Sequence, residues 1–177
     1  MKLKTKAPLP SWPSIFKVIF SRSLSYKQIS ELWTSNKNRG FLFSRSAWSI
    51  DFIAKYRLLV LQKDTLNIWI PSYFCNASLA PLRALKVNLI FYPMQESGNP
   101  DIEGINKMLS KDNRPDLILG VHYFGKIMDL KGLSEIAYSN GAWLIEDSAH
   151  VLRSNIDSDL SHFTLFSLHK FLPLYDG

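Results

Sequence analysis

From residue 41 onward, short apolar runs alternate with longer segments whose apolar residues recur at helical spacing. No other feature constrains the fold of this chain as much. The runs at 67–70 (NIWI), 87–92 (VNLIFY), 116–122 (DLILGVH), 142–146 (AWLIE) and 162–167 (HFTLFS) have the length and apolar character of strands. Between them, Ala47–Leu61 places Trp48, Phe52, Ile53, Tyr56, Leu59 and Val60 at helical spacing, and Asn76–Ala84, Asp101–Ser110 and Leu130–Ser139 read as further helices. Asp101 stands near the positive end of its helix, where an acid is favoured. Asn140-Gly141 supplies a C-terminal stop. The strand candidates are apolar on both faces, so both need cover. The alternation therefore predicts an α/β fold, a mainly parallel sheet with helices on both faces. Ligands of such open sheets bind beyond the carboxyl ends of the strands. The polar residues just after each strand are thus the candidates for chemistry.

A chain of 177 residues is long enough for one domain with a sizeable core, and 46% hydrophobic with 20% charged residues excludes disorder and fibrous repeats. The one cysteine, Cys75, excludes an internal disulfide framework and a CxxC metal site. No apolar run approaches the roughly 20 residues of a membrane span. Ser14–Phe20 is apolar, but Lys17 interrupts it and no small-residue cleavage site follows. It is not read as a signal peptide, and the expected compartment is cytoplasmic. The net charge of +6 is unevenly spread: residues 1–40 carry eight Lys/Arg against Glu31, or +7, whereas residues 41–177 carry thirteen basic and fourteen acidic residues, or −1. A basic arm can meet nucleic acid or anionic lipid, but no nucleic-acid motif accompanies this one, and a solvated leader is the expected reading. Pro8, Pro10 and Pro13 predict extended, irregular chain to about residue 15. Residues 26–34 predict a short helix.

Five segments could carry chemistry. Ser44-Arg45-Ser46 opens a helix, where free backbone N–H groups, two hydroxyls and a guanidinium suit an anion; an N-cap serine with a surface arginine is the plainer role. Asp147 follows an apolar strand, and a carboxylate buried there needs a partner such as a protonated ring nitrogen; a helix cap, with His150 in the first turn, is the alternative. Lys170 lies 23 residues beyond Asp147, after another apolar strand, where a desolvated amine can form a Schiff base with an aldehyde. Tyr73 and Phe74 follow Pro71, where a ring can stack on a flat cofactor or pack in the core. His122 either sits over a ligand or satisfies backbone groups at a strand end, and Gly125 meets a backbone need.

In their order, IPSYFCNASLAPLRALKVNLIFYPM (70–94), LILGVHYFGKIMDLKGLSEIAYSNGAWLIEDSAHVL (117–152) and FTLFSLHKFLPLYDG (163–177) resemble the DegT/DnrJ/EryC1/StrS family of pyridoxal-phosphate-dependent sugar aminotransferases. The resemblance covers roughly residues 40–177 and rests on the order and spacing of the motifs. It implies the large domain of the aspartate aminotransferase fold, pyridoxal 5′-phosphate as cofactor, an amino donor (glutamate is expected) and a keto sugar acceptor, often nucleotide-linked. The setting it implies is cell-surface polysaccharide or related sugar synthesis. Lys170 resembles the lysine that binds the cofactor aldehyde, supported by Leu172-Pro173 and Asp176-Gly177. Asp147 resembles the partner of the pyridine nitrogen, and His150 stands where the family has Gln or His near the ring hydroxyl. Ser44, Arg45 and Ser46 occupy the phosphate-loop position, where Gly-Ser/Thr is more usual. Phe74, or Cys75 in the neighbouring alignment, corresponds to the residue over the cofactor face. Ser167 is a phosphate contact by analogy, three residues before the lysine rather than the usual five. His169 adjoins Lys170, and family dehydratases carry histidine at the lysine position. Family members are homodimers with a smaller C-terminal domain. Here the sequence ends seven residues after Lys170, so the expectation is a basic arm (1–40) and a partial large domain (41–177), with the small domain absent. A catalytically inactive remnant or interaction module of the same fold is the alternative reading.

Overall fold

The computed structural model of the chain describes residues 11–20, 25, 28, 30–34, 39–151 and 160–171. Among the described residues five strands build one sheet: β1 (Leu66–Pro71), β2 (Val87–Tyr92), β3 (Leu117–Val121), β4 (Trp143–Ser148) and β5 (Phe163–Phe166). All the pairings are parallel and the order is β2-β1-β3-β4-β5. β1 and β2 are in register from Leu66↔Val87 to Pro71↔Tyr92, and β3 and β4 from Leu117↔Trp143 to Val121↔Asp147. The chain moves outward from β1 to β2, then returns to the other side of β1 for β3. The reversal places a crevice between the carboxyl ends of β1 and β3, the position where open α/β sheets take ligands.

The helices among the described residues include α1 (Trp12–Ile19), α2 (Ser46–Leu61), α3 (Ala80–Arg83), α4 (Ile102–Met108) and α5 (Lys131–Asn140), with short 3₁₀ turns at Glu31–Trp33, Asn76–Leu79 and Leu168–Lys170. Consecutive strand residues alternate between two cores. Leu66, Ile68, Ile70, Leu117, Leu119 and Ile145 pack with Ile50, Ile53 and Ala54 of α2. Trp69, Ile118 and Leu144 pack with Ile105 of α4 and Leu133, Ile136 and Ala137 of α5. This is why the strands read as unbroken apolar runs: each has both faces covered. The polar ends of two buried aromatic side chains are satisfied: the Tyr92 hydroxyl donates to the Leu119 carbonyl at 2.6 Å and the Trp69 indole to the Asn113 carbonyl at 2.8 Å. Asp101 caps α4 by accepting from the Gly104 N–H at 3.1 Å. Gly141 ends α5 at φ +65°, a conformation that suits glycine.

The expected irregular chain to about residue 15 gives way to α1. Pro13 lies in the first turn, where a missing N–H costs nothing and its fixed φ fits the helix. The Ser11 hydroxyl accepts from the Ser14 N–H at 3.3 Å. Asn76–Ala84, expected as one helix, divides into a 3₁₀ turn and the single turn α3. The expected helix at 26–34 lies partly outside the described residues, as do residues 1–10 of the basic arm and Leu172–Gly177. No described helix is long and apolar enough to cross a membrane.

Candidate functional site

A cavity of about 360 Å³ lies at the carboxyl edge of the sheet. Its walls come from the first turn of α2 (Ser46), the turn after β1 (Tyr73, Phe74, Cys75, Ser78), the end of β3 (Val121, Tyr123, Phe124), the end of β4 (Asp147, Ala149, His150) and Lys170 beyond β5. Asp147, His150, Ser46, Phe74 and Lys170, separated by up to 124 residues of sequence, are thus brought to one hollow. Lys170, exposed at the end of its 3₁₀ turn, reaches that hollow because β5 runs parallel beside β4.

Asp147 is 7% exposed, and its Oδ1 accepts from the Ala149 N–H at 2.9 Å. No second hydrogen bond to this carboxylate comes from the described residues. Burial pushes its pKa up, and the Ala149 N–H, Lys170, His150 and His122 pull it back in part. A desolvated carboxylate with an open oxygen on a cavity wall is suited to a cationic N–H group. His150 is half-buried. Its Nδ1 accepts from the Phe124 N–H at 3.4 Å, which leaves Nε2 as the ring's donor. Burial first, then Lys170, hold the imidazole below its usual range, against the opposing pull of Asp147.

The three phosphate-loop candidates do not share one place. Ser46 lines the cavity at the positive end of α2, whereas Ser44 and Arg45 are exposed and stand off the cavity wall. Ser167 is buried at the start of the 3₁₀ turn, where its carbonyl accepts from the Lys170 N–H at 3.1 Å, and it too is absent from the wall. Phe74 both lines the cavity and packs against the core beneath α2. Cys75, the alternative, is exposed on the same wall; the Ser78 hydroxyl lowers its thiol pKa, helped by backbone N–H groups. His122 is buried with both ring nitrogens engaged: it donates to Glu146 and accepts from the Met128 N–H.

Tyr123 and Phe124 were not anticipated. Their signal was available in the aromatic pair directly after a strand and before Gly125. Phe124 has φ +53° and Gly125 φ +83°, and the Lys126 N–H closes the turn on the Tyr123 carbonyl at 2.8 Å. Burial raises the Tyr123 phenol well above its ordinary value, with Asp147 and Tyr73 adding to the rise.

Comparison with known proteins bears on the fold and the family. Serine hydroxymethyltransferase of Pyrobaculum calidifontis is 33% identical over 90 residues, covering 50% of this chain and 21% of that protein. Its counterpart in Pyrobaculum islandicum is 28% identical over 133 residues, 68% of this chain and 31% of that protein. The chain therefore spans a fifth to a third of the length of these relatives. Among solved structures, Helicobacter pylori PseC, an aminotransferase involved in pseudaminic acid biosynthesis, matches with a TM-score of 0.69 at 18% identity, over 96% of this chain and 48% of that one. DesI, solved with its TDP-sugar product, matches with a TM-score of 0.62 at 19% identity, over 81% and 36%. These likenesses establish the aminotransferase-type fold. The family model described as the DegT/DnrJ/EryC1/StrS aminotransferase family matches residues 60–174, and the chain belongs to that family.

Proposed function

We propose that this chain carries the cofactor-holding site of an aminotransferase that uses pyridoxal 5′-phosphate and transfers an amino group, from glutamate, to a keto sugar that is often nucleotide-linked. Cell-surface polysaccharide or related sugar synthesis is the setting. The observation that carries the reading is the meeting of Asp147 and Lys170 on one cavity at the switch point of the sheet. The residues present fit the cofactor. The open oxygen of Asp147 suits a protonated pyridine nitrogen, and Ser46 with the N-terminus of α2 suits the phosphate.

When bound, pyridoxal phosphate supplies an aldehyde open to amines and a ring that takes up electrons. Asp147 would keep a negative charge beside the ring nitrogen and so hold its proton in place. His150 would donate from Nε2 toward the ring hydroxyl. The Lys170 amine would hold the aldehyde at rest, then take up and return a proton at Nζ as general base and acid. Phe74 and Cys75 would border the ring from the turn after β1, and the aromatic walls would exclude water. Full-length assembly as a homodimer belongs to the same reading.

The test is absorbance after addition of pyridoxal phosphate, followed by borohydride reduction and peptide mapping. A visible band and a label on Lys170, both absent from Lys170→Ala, are expected. No band in the wild-type chain, or a label confined to other lysines, overturns the reading.

A further inference from the structure

Tyr73, Tyr123 and Phe124 form a rim on the cavity that extends beyond the groups assigned to the cofactor. Phe124 lies nearly parallel to His150, with ring centres 5.5 Å apart and an interplanar angle of 20°. Tyr123 is 6.2 Å from Phe124 and 5.4 Å from Tyr73, and Tyr73 is 6.5 Å from Phe124. The Tyr123 hydroxyl donates to the Tyr73 carbonyl, which ties the turn after β1 to the turn after β3. The rim is therefore one connected unit at the switch-point crevice.

Two facts set it apart from core packing. Phe124 is 77% exposed and Tyr73 64% exposed, although both line the cavity. Phe124 also sits at φ +53°, in the left-handed region that a bulky residue rarely occupies. Glycine or asparagine would fill that turn position without strain. A residue held in strain with its ring presented to a cavity points to a ligand. Among the described wall residues Asp147 is the one carboxylate, and it is buried, so the rim presents aromatic faces without an exposed negative charge.

We propose that this rim is a stacking platform for a flat, apolar ring face on the amino acceptor, supplied by the base of a nucleotide-linked sugar or by the sugar ring itself. The proposal rests on the aminotransferase reading of the cavity and names the part of the acceptor that the rim grips. Aromatic side chains hold bases by their π-faces with little demand on base identity, and the CH face of a pyranose meets the same surface.

Calorimetric titration of uridine diphosphate, glucose 1-phosphate and inorganic pyrophosphate onto the chain incubated with pyridoxal phosphate tests this, with Phe124→Leu and Phe124→Tyr beside the wild type. Leucine keeps the β-carbon and so faces the same backbone strain, which isolates the ring; circular dichroism checks the fold. Uridine diphosphate or glucose 1-phosphate is expected to bind, Phe124→Leu to weaken that binding about tenfold, and Phe124→Tyr to keep it within about threefold. Binding of uridine diphosphate over glucose 1-phosphate assigns the platform to the base, and the reverse order assigns it to the sugar. Failure of both to bind overturns the platform, as does binding that pyrophosphate matches and Phe124→Leu leaves intact. The visible cofactor band is recorded in the same samples. A band without ring binding overturns the platform and spares the cofactor reading; ring binding without a band supports the platform and overturns the cofactor reading.

Discussion

His122 Nε2 lies 2.8 Å from Glu146 Oε1, with both side chains buried. The Met128 N–H donates to His122 Nδ1 at 2.9 Å, so the ring proton sits on Nε2 and is donated to Glu146. Glu146 Oε2 accepts from Ser161 Oγ at 3.1 Å and Thr164 Oγ1 at 3.4 Å, and Oε1 accepts from Ser148 Oγ at 3.3 Å. The network joins the end of β3, the middle of β4 and the start of β5. Side chains alternate along a strand, so the fixed Glu146 leaves Asp147 on the opposite face.

Loss of this clamp is expected to loosen the strands that bear the site. His122→Ala removes two hydrogen bonds, one of them to a buried carboxylate, and should cost about 2–3 kcal/mol. The urea midpoint of the cofactor-free chain measures it. A shift equivalent to less than about 0.5 kcal/mol would show that the clamp contributes little.

Asp147 predicts a pH dependence of stability. Burial raises its folded pKa, so the folded chain holds this proton more tightly than the unfolded chain does. Its contribution to stability is full below the unfolded carboxyl value near about 4 and is lost as pH rises through the raised folded value. Without cofactor, Asp147→Asn should therefore raise the melting temperature at neutral pH and flatten the decline from mildly acid to neutral pH. With pyridoxal phosphate present, the same variant should lose the stabilisation that binding gives. Thermal melts across that range check both, and an asparagine variant less stable than the wild type at neutral pH without cofactor counts against the argument.

The fold was legible because burial of both strand faces leaves an apolar signature. Leu117, Ile118 and Leu119 alternate between two cores and so all read as buried. The meeting of Asp147 and Lys170 on one cavity was legible in part because each follows such a run at the carboxyl edge; their chemistry belongs to the proposal. The burial of Ser167, 1% exposed at the start of its 3₁₀ turn, was not legible, because motif spacing does not reveal it. Ser44 and Arg45 look equivalent to Ser46 in sequence, yet the direction in which the chain enters α2 brings Ser46 alone of the three to the cavity wall. Phe124 carried a signal in the aromatic pair before Gly125, but its left-handed φ, unusual for phenylalanine, is not announced by local propensity. His122 left two roles open in sequence, and its partner lies 24 residues away on the next strand.

Arg57 predicts an unusual ranking of substitutions. Its guanidinium lies 4.3 Å from the centre of the Trp143 ring and donates to the Gly141 carbonyl, tying α2 to the turn before β4. Its Nε is buried without a hydrogen-bond partner among the described residues, and burial lowers its pKa against the pull of Asp116. Lysine would keep a buried charge but lose the planar stack, whereas methionine would keep the apolar stem and remove the charge. Arg57→Met should thus cost less than Arg57→Lys, which should lose about 1–3 kcal/mol. Denaturation midpoints of the two variants decide the order, and a lysine variant more stable than the methionine one contradicts it.

Cys75 offers a chemical probe of the cavity. Its thiol pKa is lowered chiefly by the Ser78 hydroxyl, with backbone N–H groups and the Lys170 charge helping and burial opposing. A lowered pKa raises the thiolate fraction at neutral pH, and the thiolate is the form that alkylating agents attack. Iodoacetamide should therefore label Cys75 with a pH midpoint below that of an ordinary thiol, and Ser78→Ala should move the midpoint upward. Lys170→Ala should move it in the same direction by less, because Lys170 is the last of the favourable causes. Because Cys75 and Lys170 line the same cavity, pyridoxal phosphate should slow the labelling of the wild-type chain and not that of Lys170→Ala. Equal labelling rates with and without cofactor, in a chain that shows the visible band, would separate Cys75 from the cofactor's place and leave Phe74 as the residue of that turn against the ring.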